Sequence, residues 1–113
     1  MPANTDAHSN DPRLWRVGAV EFDESTFALR VRGAPVRVER VPLKVLQQLL
    51  HAQGRVVSSD ELLASIWHRS RATISRNAVS NAVAKLRRAL GDEAPQLIQA
   101  QPQAGYRLLQ HAD

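Results

Sequence analysis

The chain has 113 residues and no cysteine. That absence excludes disulfides, thiolate metal sites and cysteine nucleophiles. Aromatic residues are scarce, at 4%, which argues against holding single strands by base stacking. No apolar run approaches the ~20 residues needed to cross a bilayer as a helix. Met1 to Pro12 has neither the basic start nor the apolar stretch of a secretory signal, so the expected compartment is the cytoplasm. Gly-rich phosphate loops, nucleophile elbows and zinc-ligand spacings are missing. His8, His51, His68 and His111 are scattered, without the spacing of a metal site. Asp60 and Glu61 stand side by side, but helix capping accounts for both. No metal, cofactor, small-molecule substrate or enzymatic activity is expected.

Hydrophobic residues make up 43% and charged residues 23%, the composition of one globular domain with its own core. The formal net charge is +4. Its distribution says more than its size. From Leu62 to Gly91 there is no acidic residue, while Arg69, Arg71, Arg76, Lys85, Arg87 and Arg88 all fall there. Such a stretch creates a local positive field that suits a polyanion. It equally fits a solvated basic face with no partner, so the direction of these side chains decides.

Residues 1–12 are polar and proline-containing, which predicts a disordered tail. Residues 13–110 form the expected domain and 111–113 a short tail. Trp15–Val17, Val20–Phe22, Phe27–Val31 and Val36–Val38 alternate apolar and polar residues. Turn signals separate them at Gly18, Asp23-Glu24-Ser25 and Gly33-Ala34-Pro35. Three or four short antiparallel strands follow, with one buried face.

Pro42 fits the first turn of a helix, and Leu43, Leu46, Leu49 and Leu50 recur at helical spacing. Gly54 is the expected C-cap glycine. After a short extended link, Ser58 to Glu61 reads as a capping box that opens a second helix, whose apolar side is Leu62, Leu63, Ile66 and Trp67. A basic loop covers His68 to Ile74. Ser75 suits the N-cap of a third helix from Arg76 to Leu90. Gly91 ends it, and Asp92 to Pro95 reads as a loop. Leu97–Gln101 and Tyr106–Leu109 then form a hairpin around Pro102-Gln103-Ala104-Gly105.

On a helical wheel Val79, Val83, Leu86 and Leu90 form a buried stripe. Asn77, Asn81, Ala84 and Arg88 lie opposite, flanked by Lys85 on one edge and by Ser80 and Arg87 on the other. This outer face combines short amides with long cations and carries no acid. Asn can bond adenine N6 and N7, and Arg or Lys can bond guanine O6 and N7. Flanking cations can take phosphates and set the register. With a preceding helix, a joining loop and a following hairpin, the pattern is that of an α+β winged helix-turn-helix.

Three stretches carry a family likeness. They are Gly54-Arg55-Val56-Val57-Ser58 leading into Ile66-Trp67, Leu86-Arg87-Arg88-Ala89-Leu90-Gly91-Asp92, and Gly105-Tyr106-Arg107-Leu108. With the leading strands, the chain from about Leu14 to Leu109 resembles the DNA-binding effector domain of OmpR/PhoB-type transcription regulators. It is similar also to the N-terminal domains of CadC/ToxR-type activators. The resemblance implies sequence-specific binding to double-stranded DNA, with the third helix in the major groove. It assigns base contacts to Asn77, Ser80, Asn81, Ala84 and Lys85. It implies phosphate contacts for Arg87 and Trp67, and Arg76 and Arg88 are expected to make them as well. The hairpin becomes a wing over the minor groove, with Gln103 as its reader and Arg107 also on the wing. The wing tip, Gln101-Pro102-Gln103-Ala104, lacks the cation that many members carry. Loop 68–74 corresponds to a loop that meets RNA polymerase in the family, although Arg69 and Arg71 there can equally meet phosphates. Self-association in tandem on DNA is implied as well. Response regulators of the family also carry a receiver domain, for which this length leaves no room. The expectation is a domain acting alone, or the cytoplasmic part of a longer, membrane-anchored protein. The rival reading is a winged helix that has lost DNA binding and docks on a protein.

Overall fold

A computed structural model describes residues 14–67 and 76–110. Four short strands come first: β1 (Leu14–Val17), β2 (Val20–Asp23), β3 (Ala28–Val31) and β4 (Ala34–Val36). They pair antiparallel in that order. The register aligns Trp15, Phe22, Leu29 and Val36 across the sheet, and next to them Val17, Val20 and Val31. These residues form the inward face. Phe22 and Leu29 are almost fully buried. On the outward face Arg16 lies directly opposite Glu21 and pairs with it at 2.9 Å.

The expected turn Gly33-Ala34-Pro35 is displaced by one residue. The turn is Arg32-Gly33, both at positive φ (54° and 81°), the conformation whose twist suits a two-residue hairpin. Ala34 and Pro35 pair as strand, and residues 37–39 lie outside it. Proline is tolerated because β4 is an edge strand that needs no N–H there. Phe27 also leaves the expected strand. It takes a left-handed φ of 56° and packs edge-on against Phe22, with ring centroids 5.2 Å apart. The Arg40 guanidinium lies over its ring at 4.4 Å, a favourable cation–π placement.

Helix α1 (Arg40–Ala52) buries Pro42, Leu43, Val45, Leu46, Leu49 and Leu50. Pro42 sits in its first turn, where an N–H has no intrahelical partner. The helix ends as expected at Gly54, which follows the C-cap Gln53; both take positive φ (90° and 50°). Helix α2 (Ser59–Ile66) buries Leu62, Leu63 and Ile66. Ser58 accepts the Glu61 N–H at 3.0 Å, as a capping residue should. The reciprocal half of the capping box is replaced: the Glu61 carboxylate takes Arg55 at 3.2 Å.

Helix α3 (Arg76–Leu90) packs on α1 and α2. The expected loop after it is a 3-10 turn, Gly91–Glu93, followed by a one-turn helix α4 (Ala94–Leu97). Pro95 has a pre-set helical φ, and Ala94 and Leu97, three apart, both bury. Strand β5 (Ile98–Gln101) and strand β6 (Gly105–Leu108) close the domain as an antiparallel hairpin.

One core joins these layers, running from Phe22 and Leu29 through Leu46, Leu49 and Leu62 to Leu86, Leu97 and Leu108. Among the described residues no polar or charged residue is buried. A polar clamp at its rim ties the first sheet to α1. Glu24, in the β2–β3 turn, accepts hydrogen bonds from Trp15 Nε1 and, at 2.8 Å, from Gln47 Nε2. His51 Nε2 lies 3.0 Å from both carboxylate oxygens. Burial pushes the Glu24 carboxyl up, but the bonds from Gln47, His51 and Trp15 together outweigh it and hold it below its ordinary value.

Candidate nucleic-acid interface

The side chains of α3 divide as the wheel predicts. Val79, Val83, Leu86 and Leu90 are at most 1% exposed, and Ala82 is buried beside them. Asn77, Ser80, Asn81, Ala84, Lys85 and Arg88 are exposed, and Arg87 is half-buried. The six exposed residues therefore share one solvent-facing surface. It has no apolar side chain larger than Ala84 and no acid of its own helix. Arg87 and Arg88 stand in the last turn, where cations favour the negative end of the helix dipole.

Lys85 has a partner from another element. Its Nζ lies 2.7 Å from Glu39 Oε1, a carboxylate at the N-terminus of α1. Sequence reasoning missed this acid because 46 positions separate the pair, and no local spacing rule reaches that far.

Trp67 terminates α2, its N–H bonded to Leu63 O at 3.0 Å. Its ring is half-buried and leans on the core. Arg69 and Arg71, with the whole loop 68–74 and Ser75, lie outside the described residues. So does the side chain of Arg76.

The hairpin is fastened to the helical body. Val57, in the link before α2, exchanges two backbone hydrogen bonds with Tyr106, at 2.8 and 2.9 Å. The hairpin thus has a third, one-residue strand beside it. Gly105 makes this possible. A Cβ there would lie 2.0 Å from Val57 O, and its φ of +143° also disfavours a side chain. The tip is Pro102-Gln103-Ala104, with Gln103 exposed at φ 64°. Arg107 is not at the tip. It stands opposite Gln99 on the strand, half-buried, with its Nε shielded from solvent and without a hydrogen-bond partner. An open cleft separates the tip from the helices. Ser58, Ser59 and Asp60 form one wall, Ser80 of α3 adjoins it, and residues 100–106 form the other.

Comparison with known proteins gives a consistent result. The family model described as "Transcriptional regulatory protein, C terminal" matches residues 33–108. The phosphate regulon transcriptional regulatory protein PhoB of Rhizobium meliloti (strain 1021) is 31% identical over 96 residues, covering 84% of this chain and 42% of the relative. The chain thus spans less than half the length of that relative. The DNA-binding domain of E. coli CadC superposes with a TM-score of 0.78 at 25% identity, over 89% of this chain and 95% of that one. The Klebsiella pneumoniae RstA DNA-binding domain, solved in complex with the RstA box, superposes with a TM-score of 0.73 at 20% identity. That match covers 85% of this chain and 96% of the other.

Proposed function

The chain belongs to the family of transcriptional regulatory protein C-terminal domains, and on that premise we propose that it binds double-stranded DNA sequence-specifically to regulate transcription. One observation carries the reading. The amide-and-cation surface of α3 faces solvent along the helix, with Glu39 of the neighbouring segment paired to Lys85 at its edge. A helix of 15 residues with such a face has the dimensions and donor chemistry of a major-groove reader.

The roles divide by chemistry. Asn77, Asn81 and Lys85 offer hydrogen-bonding groups to base edges. Ser80 offers a hydroxyl, and Ala84 permits close approach or meets a thymine methyl. Arg87 and Arg88 take phosphates, as does the indole N–H of Trp67. These contacts supply affinity without sequence information. The hairpin has only a neutral tip, so Gln103 reads the minor groove by hydrogen bonding rather than by charge. Arg107 stands on the strand opposite Gln99, withdrawn from the tip. The cleft between Ser58–Asp60 and the tip is a path for the sugar–phosphate strand between the two grooves. Contact with RNA polymerase through loop 68–74, and tandem binding to repeats, extend this reading to partners.

Selection from random duplex DNA tests it. A defined recognition sequence should emerge, and an Asn81→Ala protein should recover a degenerate one. A protein that binds no duplex at low salt, yet forms a salt-insensitive complex with another protein, would instead identify an interaction module.

A further inference from the structure

Glu39 is placed where an N-cap residue should be. Its backbone is extended (φ −61°, ψ 157°) just before α1, yet its side chain makes no capping bond. A carboxylate in that position ordinarily accepts N–H groups of the first turn, where the helix dipole also favours it. Here it reaches across to α3 and pairs with Lys85 at 2.7 Å. It thereby brings a negative charge to a surface whose own sequence, from Leu62 to Gly91, contains none. The two side chains remain 69% and 51% exposed, so the pair is hydrated and opens readily.

We infer that Glu39 is a positioning residue that sets duplex selectivity by withholding Lys85 from phosphates. The inference rests on the reading that α3 enters the major groove. An unrestrained lysine on α3 takes any phosphate within reach, and the released counterion stabilises every duplex alike. A lysine paired with an exposed carboxylate gives up an attraction worth up to about fivefold in affinity before it meets any other acceptor. Two simultaneous bonds to guanine O6 and N7 at the right register offset that loss; a single phosphate bond at arbitrary register offsets less of it. Selectivity then comes from disfavouring the wrong duplex rather than from improving the right one.

The test uses the 113-residue chain with Glu39→Gln, Lys85→Gln and both together. Each binds its selected recognition duplex and a scrambled duplex of equal length across a KCl series. Glu39→Gln should bind the scrambled duplex about three- to fivefold more tightly, the scale of one exposed ion pair. Its salt dependence should steepen by about 0.9 in the log–log slope. Binding to the recognition duplex should change less, so discrimination falls. In the Lys85→Gln background, Glu39→Gln should alter neither duplex. Unchanged discrimination and slope in the single variant would overturn the inference. So would a gain that persists without Lys85, because the carboxylate would then repel phosphates directly. A Glu39→Gln protein that melts earlier and binds both duplexes less well would reduce Glu39 to a helix cap. Those three outcomes leave the DNA-binding reading standing; a wild-type chain that binds no duplex removes both.

Discussion

Val57 and Tyr106 exchange both backbone hydrogen bonds, at 2.8 and 2.9 Å, and this pairing ties the hairpin to the link before α2, in addition to the burial of Ile98 and Leu108 in the core. It lets two distant segments act as one surface: the link before α2 and the strand after the hairpin tip. The hairpin alone is a two-stranded ribbon, a marginal structure without such support.

Gly105→Ala should therefore damage the wing more than any tip substitution. The added methyl group meets Val57 O at 2.0 Å and Ser58 Cα at 2.7 Å, both backbone atoms that cannot rotate away. Either the Val57–Tyr106 pairing opens or the backbone shifts, at a cost of about 1–3 kcal/mol for a strained conformation of this kind. Urea unfolding should register that loss. A Gln103→Ala protein, altered at an exposed position, should unfold within about 0.5 kcal/mol of wild type. Equal stabilities for the two variants would mean that the pairing does not hold the hairpin.

Ser58→Ala removes the oxygen that accepts the Glu61 N–H at 3.0 Å. Helix α2 has only eight residues, so one unsatisfied N–H is a large share of its terminal bonding. A loss of about 1 kcal/mol is expected, readable as a lower denaturation midpoint with an unchanged slope. A Ser58→Asp protein should retain most of the stability, since aspartate caps equally well. If alanine and aspartate behave alike, the hydroxyl is not acting as a cap.

Stability should also depend on acid through Glu24. Its carboxyl is held below the ordinary value of 4.5 by Gln47, His51 and Trp15. The folded state thus binds the proton less readily than the unfolded chain. The stabilisation is complete above 4.5 and fades as pH falls through the lowered folded value. Glu24→Ala should cost about 1–3 kcal/mol at neutral pH. The gap between variant and wild type should narrow toward pH 3. A gap of constant size from neutral to acid conditions would show that the clamp does not depend on the charge.

What the sequence discloses, and what it conceals, follows the range of each interaction. The buried and exposed faces of α3 are legible because a period of 3.6 residues repeats over four turns. The Ser58 cap is legible because its partner is three residues away. The turn is Arg32-Gly33 rather than Gly33-Ala34-Pro35 because an edge strand accepts Pro35. The short α4 was hidden because one turn of helix has too few residues to display a period. The Gly105–Val57 approach and the Glu39–Lys85 pair join segments that only the fold brings together. Glycine at Gly105 announces a special backbone, but not which carbonyl it meets. Glu39 reads as an ordinary surface acid until α1 and α3 are packed.

The decisive contrast is between Asn81 and Arg87. Both are on α3, yet Asn81 is exposed in the middle of the outer face and Arg87 is half-buried near its end. Asn81 offers a carbonyl and an amide in the geometry that adenine N6 and N7 require. Its loss should weaken the preferred duplex by about 1–3 kcal/mol and leave scrambled duplexes nearly unchanged. Arg87 carries a charge and, in the proposed division of roles, meets phosphates. Its replacement by alanine should weaken all duplexes by a similar factor and flatten the log–log salt slope by about 0.9. Titrating both variants against both duplexes at several salt concentrations separates these signatures. If Asn81→Ala keeps full discrimination, the outer face of α3 does not read bases. If the Arg87→Ala deficit is confined to one sequence, that arginine reaches a base and the division of roles along the helix must be redrawn.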